Sequence, residues 1–308
     1  LGEVRDYEIH GGSMTVATQM TQEEREKAYE EHERRIQDTL NQITNRVVVF
    51  SGKGGVGKTT VAVNLAYALE MRGAQVGLLD ADITGPNICK MVGISEPFQG
   101  KGQKIFPHDR GGVKVISIAP MLAPGEPVIW RGPLRAKALE QFLTGVEWGE
   151  LDFLIADLPP GTGDEVLTMT QRTSPQVAVI VTSPQELSLV DSHRAVNMAK
   201  KMEIKHIGIV ENMSGFICHN CGEEIPLFGS GGGARQAKEL GVEFLGKIPI
   251  DLDVPRCGDT GQPIVQSSIE GPVSEAFVNL ASRVCAILAG EAESSTENNA
   301  SPPIVSAC

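Results

Sequence analysis

The chain has 308 residues, 41% hydrophobic and 21% charged, which is ordinary globular usage, so a sizeable core forms and wholesale disorder is excluded. Its net charge of −12 repels polyphosphate backbones unless basic residues gather in a patch; no such patch is evident, which argues against nucleic-acid binding. Six cysteines, at 89, 218, 221, 257, 285 and 308, include one close pair and no regular framework, the usage of a metal or redox site in a reducing compartment.

Residues 1–20 show no periodicity and start at Leu1 with Met14 just ahead, so a flexible leader is expected there, an overextended start site being the second reading. The polar N-terminus, and the lack of any apolar run near the ~20 residues of a bilayer span, predict neither a signal peptide nor a membrane helix. The expected address is cytoplasmic. Thr21 and Glu24 match a capping box, and Ile36, Leu40 and Ile43 then share one helical face, so residues 21–45 read as a charged N-terminal helix.

From Val47 on, short apolar runs alternate with helix-period segments: 47–50, 76–79, 113–118, 153–156, 177–181, 206–210 and 243–248. This pattern predicts a single α/β domain over 46–290, with a mostly parallel sheet covered by helices on both faces. Residues 291–308 are polar and without a burial pattern, and a disordered tail is expected.

Between the first run and the next helix, Gly52-Lys53-Gly54-Gly55-Val56-Gly57-Lys58-Thr59 satisfies G-x-x-x-x-G-K-[ST] and is followed by Thr60. Glycines let successive N–H groups curl around phosphate oxygens, the helix adds its positive end, Lys58 neutralises charge, and Thr59 is suited to Mg²⁺. The extra lysine, Lys53, resembles the deviant Walker motif of the MinD, ParA, nitrogenase iron-protein and Mrp group of ATPases. In that group it reaches across a dimer to the partner's nucleotide; by itself it could be a solvated loop cation.

Asp80-Ala81-Asp82 ends the second run, and Asp157 ends the fourth, ahead of Leu158-Pro159-Pro160-Gly161-Thr162-Gly163-Asp164. Open α/β sheets place ligands at strand C-termini, so both acidic sites should face the phosphate loop. Asp157 is assigned to magnesium and Asp82 to the attacking water, helix N-capping being the alternative for Asp82. Gly161 lets backbone approach a γ-phosphate, which makes 80–87 and 157–164 candidate switches.

Cys218-His219-Asn220-Cys221 lies in a Gly-rich stretch, 211–233, expected to be a loop. One Cys-x-x-Cys supplies two thiolates, while structural zinc or a [4Fe-4S] cluster normally takes four ligands. No second such pair exists in the chain, so two copies meeting across a twofold axis is the economical arrangement. The spacing alone does not separate zinc from an iron-sulfur cluster. Cys285 and Cys89 read as core residues, and Cys257 as a loop thiol.

Taken in order, GKGGVGKTT at 52–60, DADITGPN at 80–87, WRGP at 130–133, DLPPGTGD at 157–164, ENMSGF at 211–216 with CHNC, and IPID at 248–251 resemble the Mrp/ApbC family of iron-sulfur carrier ATPases. The match spans roughly residues 46–290. The resemblance implies ATP/ADP binding with Mg²⁺, slow hydrolysis, and a homodimer holding a labile [4Fe-4S] cluster on Cys218 and Cys221 of both subunits. It further implies partners in the form of an upstream assembly scaffold and apo iron-sulfur acceptors, with Asn212 reading the adenine edge and Pro249 packing near the base. Departures are His219, where the family often has proline, and the lack of an extra N-terminal cluster extension. Rival readings are a MinD- or ParA-like positional switch, which would leave CHNC unexplained, an ATPase dimer fastened by zinc, and a reductase.

Overall fold

Each β-rich run forms a strand, and several extend beyond the run. The computed structural model describes residues 7–10, 13–16, 21–102, 104–121, 132–218, 220–267 and 270–290. The tail at 291–308, Trp130, Arg131 and His219 lie outside the described residues.

First come β1 (Tyr7–His10) and β2 (Ser13–Val16), paired antiparallel, and then α1 (Gln22–Leu40). The core opens with β3 (Ile43–Phe50), α2 (Lys58–Glu70), β4 (Val76–Asp80) and α3 (Ile88–Met91). The short strands β5 (Gly100–Lys101), β6 (Lys104–Ile105), β7 (His108–Arg110) and β8 (Val113–Ile116) follow. Next are α4 (Gly132–Thr144), β9 (Leu151–Asp157), α5 (Asp164–Thr173), β10 (Val177–Thr182) and α6 (Glu186–Lys201). The C-terminal third holds β11 (His206–Ile217), β12 (Glu224–Ile225), α7 (Gly232–Leu240) and β13 (Glu243–Ile250). It ends with α8 (Asp253–Asp259), α9 (Ile264–Ser267) and α10 (Pro272–Ala289).

The main sheet has the order β13-β11-β10-β3-β9-β4-β8 with every neighbour parallel, to which β7 and β12 add antiparallel pairings at β8 and β11. Strand side chains alternate between two cores. Val47, Val49, Val177, Val179 and Val181 face the layer containing α2 and α10, while Val48, Phe50, Ala178 and Ile180 face that of α4, α5 and α6. Burial on both faces explains why these strands read as continuous apolar runs instead of alternating ones.

Several boundaries differ from expectation. Within the segment read as a flexible leader, residues 7–10 and 13–16 form a ladder; they flank Gly11-Gly12, a hairpin signal too short to register as periodicity. The capping box at Thr21 and Glu24 is present, but α1 stops at Leu40, and Ile43, assigned to its apolar face, opens β3 instead. The core thus begins at 43 rather than 46. The stretch 211–233 is not a plain loop: β11 continues through it to Ile217 and returns as β12.

Among the described residues α10 alone has the length and hydropathy of a membrane span. It packs on α2 and β13, burying Val273, Phe277, Leu280, Ala281, Val284 and Cys285. Phe277 is 1% exposed, so Phe277→Ala should cost about 3–5 kcal/mol through lost burial and a residual cavity. Leu252→Ala, at a position 72% exposed, should stay within about 0.5 kcal/mol. Urea unfolding of both variants checks the pair.

Candidate functional site

The segment 51–57 between β3 and α2 lies beside the C-terminal ends of β4 and β9 and against Asn212 in the middle of β11. Gly57 caps α2 at φ 80°, a left-handed conformation that suits glycine, so the first turn of α2, Lys58, Thr59 and Thr60, points its N–H groups into the loop. A helix start of this kind, with its dipole, is a cradle for phosphate. Gly54 and Gly55 sit where an added Cβ would meet nothing within 4 Å, and Gly52 sits where one would meet the Asp191 carbonyl at 2.1 Å. The loop is therefore open on one side and pressed against α6 on the other. The Ser51 hydroxyl donates to the Lys53 carbonyl at 2.7 Å, and Lys53 is half-buried.

Lys58 is 6% exposed, and its Nζ donates to Asp157 Oδ1 at 2.7 Å and lies 3.8 Å from Asp82 Oδ2. The other Asp157 oxygen accepts from the Thr59 hydroxyl at 2.7 Å. Asp157 thus holds both P-loop side chains, with its carboxylate oxygen beside the Thr59 hydroxyl. Mg²⁺ takes oxygen donors and usually one or two protein ligands, completing its shell with phosphate oxygens and water. Two adjacent oxygens fit that demand. Among the described residues, no group of three or more His, Cys, Asp or Glu is arranged to hold a metal ion on its own.

Asp82 approaches Lys58 and accepts from the Thr84 hydroxyl at 2.8 Å, and it caps no helix. Sequence reasoning gave no separate role to Asp80, its neighbour. Asp80 lies directly across the ladder from Asp157 and accepts from Ser117 Oγ at 2.9 Å and from the Ile88 N–H at 3.2 Å. Burial first, and then the negative charge of Asp157, push its carboxyl up to about 8. Burial raises Asp157 too, with the Lys58 ammonium and the Thr59 hydroxyl opposing it. Three carboxyl groups thus gather around one ammonium, and a divalent cation bound beside them would favour the ionised form of Asp80. The sequence signal for Asp80 was a carboxylate closing an otherwise apolar buried strand.

The second switch candidate rests on the same loop. Leu158 N–H donates to Val49 O at 2.9 Å, and Gly161 N–H donates to Ser51 O at 2.8 Å. Gly161 has φ 95°, and a Cβ there would meet nothing within 4 Å.

Asn212 faces the loop from below: its Nδ2 donates to Val56 O at 2.9 Å. It pairs in register with Ile248 on β13, one residue before Pro249. The structure therefore brings Asn212 and the Pro249 strand side by side at the flank of the P-loop.

The cysteine pair sits at a hairpin tip. Phe216 and Ile217 pair with Ile225 and Glu224, Cys218 N–H donates to Glu223 O at 2.9 Å, and Gly222 N–H donates to Cys218 O at 2.8 Å. Cys221 is exposed and Cys218 half-buried. The backbone N–H of Asn220, then that of Cys221, then the Cys221 thiol, are directed at Cys218 Sγ and hold its pKa below the usual thiol value. N–H groups aimed at sulfur favour a thiolate, which is the form that binds metal. Cys89, Cys257 and Cys285 are buried elsewhere. Sequence reasoning missed Glu211, in the buried middle of β11. Its carboxylate accepts from the Ser214 hydroxyl and from the N–H groups of Gly231 and Gly233, tying the hairpin's base to α7.

The chain is similar to known proteins over most of its length. The profile of a family described as NUBPL iron-transfer P-loop NTPase matches residues 42–285. A protein from Pyrococcus horikoshii named iron-sulfur cluster carrier protein is 48% identical over 82% of this chain and 89% of its own length. Its namesake in Methanocaldococcus jannaschii is 44% identical over 93% and 99%. A protein of Dictyostelium discoideum named iron-sulfur cluster transfer protein NUBPL is 40% identical over 85% and 82%. Among solved structures, a nucleotide-binding protein from Archaeoglobus fulgidus in complex with ADP superposes with a TM-score of 0.69 at 39% identity, covering 80% of this chain and 96% of that one. The cell division ATPase MinD of Pyrococcus furiosus gives 0.60 at 25% identity, covering 79% and 99%.

A carboxyl held above its unfolded value favours folding at low pH, and that contribution is lost as pH rises from about 4 towards the folded value of about 8. In EDTA, Asp80→Asn should therefore gain stability relative to wild type by on the order of 1 kcal/mol per pH unit between about pH 5 and 8. Urea melts across that range should show the trend; a pH-independent difference would contradict it.

Proposed function

The chain belongs to the NUBPL iron-transfer P-loop NTPase family, and on that premise we propose that it is an ATP-dependent carrier that takes up an iron-sulfur cluster between two copies of itself and hands it to apo-proteins. The observation that carries this reading is the hairpin tip at Cys218 and Cys221, with one thiol exposed, one half-buried, and N–H groups already directed at the Cys218 sulfur. Two thiolates are half of what a [4Fe-4S] cluster takes, so the cargo is bridged by the same pair from a second subunit. The names borne by the relatives are in keeping with this cargo.

ATP or ADP is held by the backbone of 52–57, by Lys58, and by the first-turn N–H groups of Thr59 and Thr60. Magnesium, when bound by Thr59 and Asp157, supplies charge neutralisation at the phosphates. Lys58 exchanges part of its hold on Asp157 for phosphate oxygen. Asp82, close to Lys58, orients the attacking water, and Lys53 reaches the nucleotide of the opposite subunit. Gly161 presents its backbone to the terminal phosphate, Asn212 turns its carbonyl end to the adenine edge, and the chain around Pro249 flanks the base. Hydrolysis is slow and changes shape instead of making a metabolite. The upstream partner is a cluster assembly scaffold, the downstream partners are apo iron-sulfur acceptors, and the cytoplasm provides the reducing conditions the thiols need.

Anaerobic reconstitution of wild type with iron and sulfide should give a brown protein with thiolate-iron absorption, and Cys218→Ala should lose the colour. A protein that accepts zinc and never iron and sulfide would leave a nucleotide switch with a zinc clip. Lys58→Ala should abolish tight nucleotide binding in calorimetry and slow cluster transfer to an apo-acceptor; equal transfer rates for wild type and variant would contradict the coupling.

A further inference from the structure

β11 reaches both halves of the site. Asn212 is 7% exposed, and besides its bond to Val56 O its amide lies so close to the next residue of the P-loop that a Cβ at Gly57 would meet Nδ2 at 2.2 Å. The P-loop peptide at 56–57 therefore rests against the Asn212 amide, with the Met213 methyl group 3.7 Å from the position of a Gly57 Cβ. Immediately before it, Glu211 is fully buried and fixed by the N–H groups of Gly231 and Gly233 at the start of α7. That part of the strand is anchored.

Immediately after it, the strand loosens. The register against β13 shifts between Asn212 and Phe216, Met213 adopts φ 59° and Gly215 φ 75°. A non-glycine residue in the left-handed region persists only where its surroundings impose it. Beyond this bulge the chain re-forms as the hairpin that carries Cys218 and Cys221, braced by Lys247, whose Nζ lies 2.8 and 2.9 Å from the two Glu224 oxygens. A register shift of this kind is where a strand bends at least cost in hydrogen bonds.

We propose that Asn212 is a positioning residue that passes the state of the P-loop to the Cys218–Cys221 hairpin, with the bulge at 213–215 as the pivot. The inference rests on the reading that the P-loop takes nucleotide and the hairpin takes the cargo. Phosphate drawn into the loop reorients the Val56–Gly57 peptide. Asn212 must then follow the Val56 carbonyl or leave a buried amide without its partner, an outcome that burial penalises. With Glu211 held on α7, the displacement goes into Met213 and Gly215 and tilts the hairpin. The two thiols change their presentation without any direct contact with nucleotide.

The test uses the full chain without cluster and compares iodoacetamide labelling rates of Cys218 and Cys221, by peptide mass spectrometry, with and without saturating Mg-ADP or a non-hydrolysable ATP analogue. Calorimetry on the same samples reports nucleotide binding separately. Wild type should change its labelling rate by about threefold or more on binding. Asn212→Ala, held at saturation whatever its affinity, should lose that response. Met213→Gly, which frees the pivot but keeps the amide bond to Val56, should show a reduced response while still binding nucleotide. An Asn212→Ala protein that binds more weakly yet responds fully at saturation would make Asn212 a ligand contact only and overturn the proposal. Nucleotide bound by wild type with no change in labelling would also overturn it. A wild type that binds no nucleotide in calorimetry would remove the nucleotide reading itself and this inference with it.

Discussion

The buried contact between Lys58 and Asp157 is the interaction on which the rest of the site depends. Its 2.7 Å geometry joins the first residue of α2 to the last residue of β9, and the Thr59 hydroxyl takes the second carboxylate oxygen. An unpaired charge at this depth would cost roughly 3–5 kcal/mol, so each group fixes the other. The pairing places a cation, a hydroxyl and a carboxylate within one hydrogen-bonded unit at the mouth of the sheet. A ligand with phosphate charge and a divalent cation is what such a unit is able to exchange partners with.

From that centre the fold reaches outward along parallel strands. Asp80 and Asp82 leave β4 on one side, the 158–163 segment leaves β9 and leans on Ser51, and β11 lies on the other side with Asn212 against the loop. Because every strand of the central ladder runs the same way, all of these groups emerge at one edge. The thiol hairpin is a continuation of that edge and not a separate module. The P-loop and the thiol hairpin therefore meet at one sheet edge, linked through the Asn212 amide on β11.

Much of this was legible in the residues because local and tertiary preferences agree. Runs such as Val177–Val181 are short, β-branched and buried on both faces, and the glycine spacing of 52–57 has few structural uses other than a phosphate loop. What escaped reading depends on neighbours distant in the chain. Asp80 looks like half of an acidic pair until the ladder sets it against Asp157. The segment Asn212-Met213-Ser214-Gly215 looks like the end of a strand, and the backbone does break there, but pairing to β12 restores the strand beyond it. Glu211 looks like a solvated acid at a strand end, whereas two N–H groups from residues twenty or so positions away bury it. In each case the partner, and not the residue, carries the information.

The claim that most needs a direct answer is that the cysteine pair is half of a binding site completed by a second copy of the chain. Native mass spectrometry of the anaerobically reconstituted protein decides it. Two chains carrying a single four-iron, four-sulfide cluster, falling to cluster-free chains when either cysteine is replaced by alanine, is the predicted result. Clusters found on single chains, or one cluster per chain within the dimer, would contradict it.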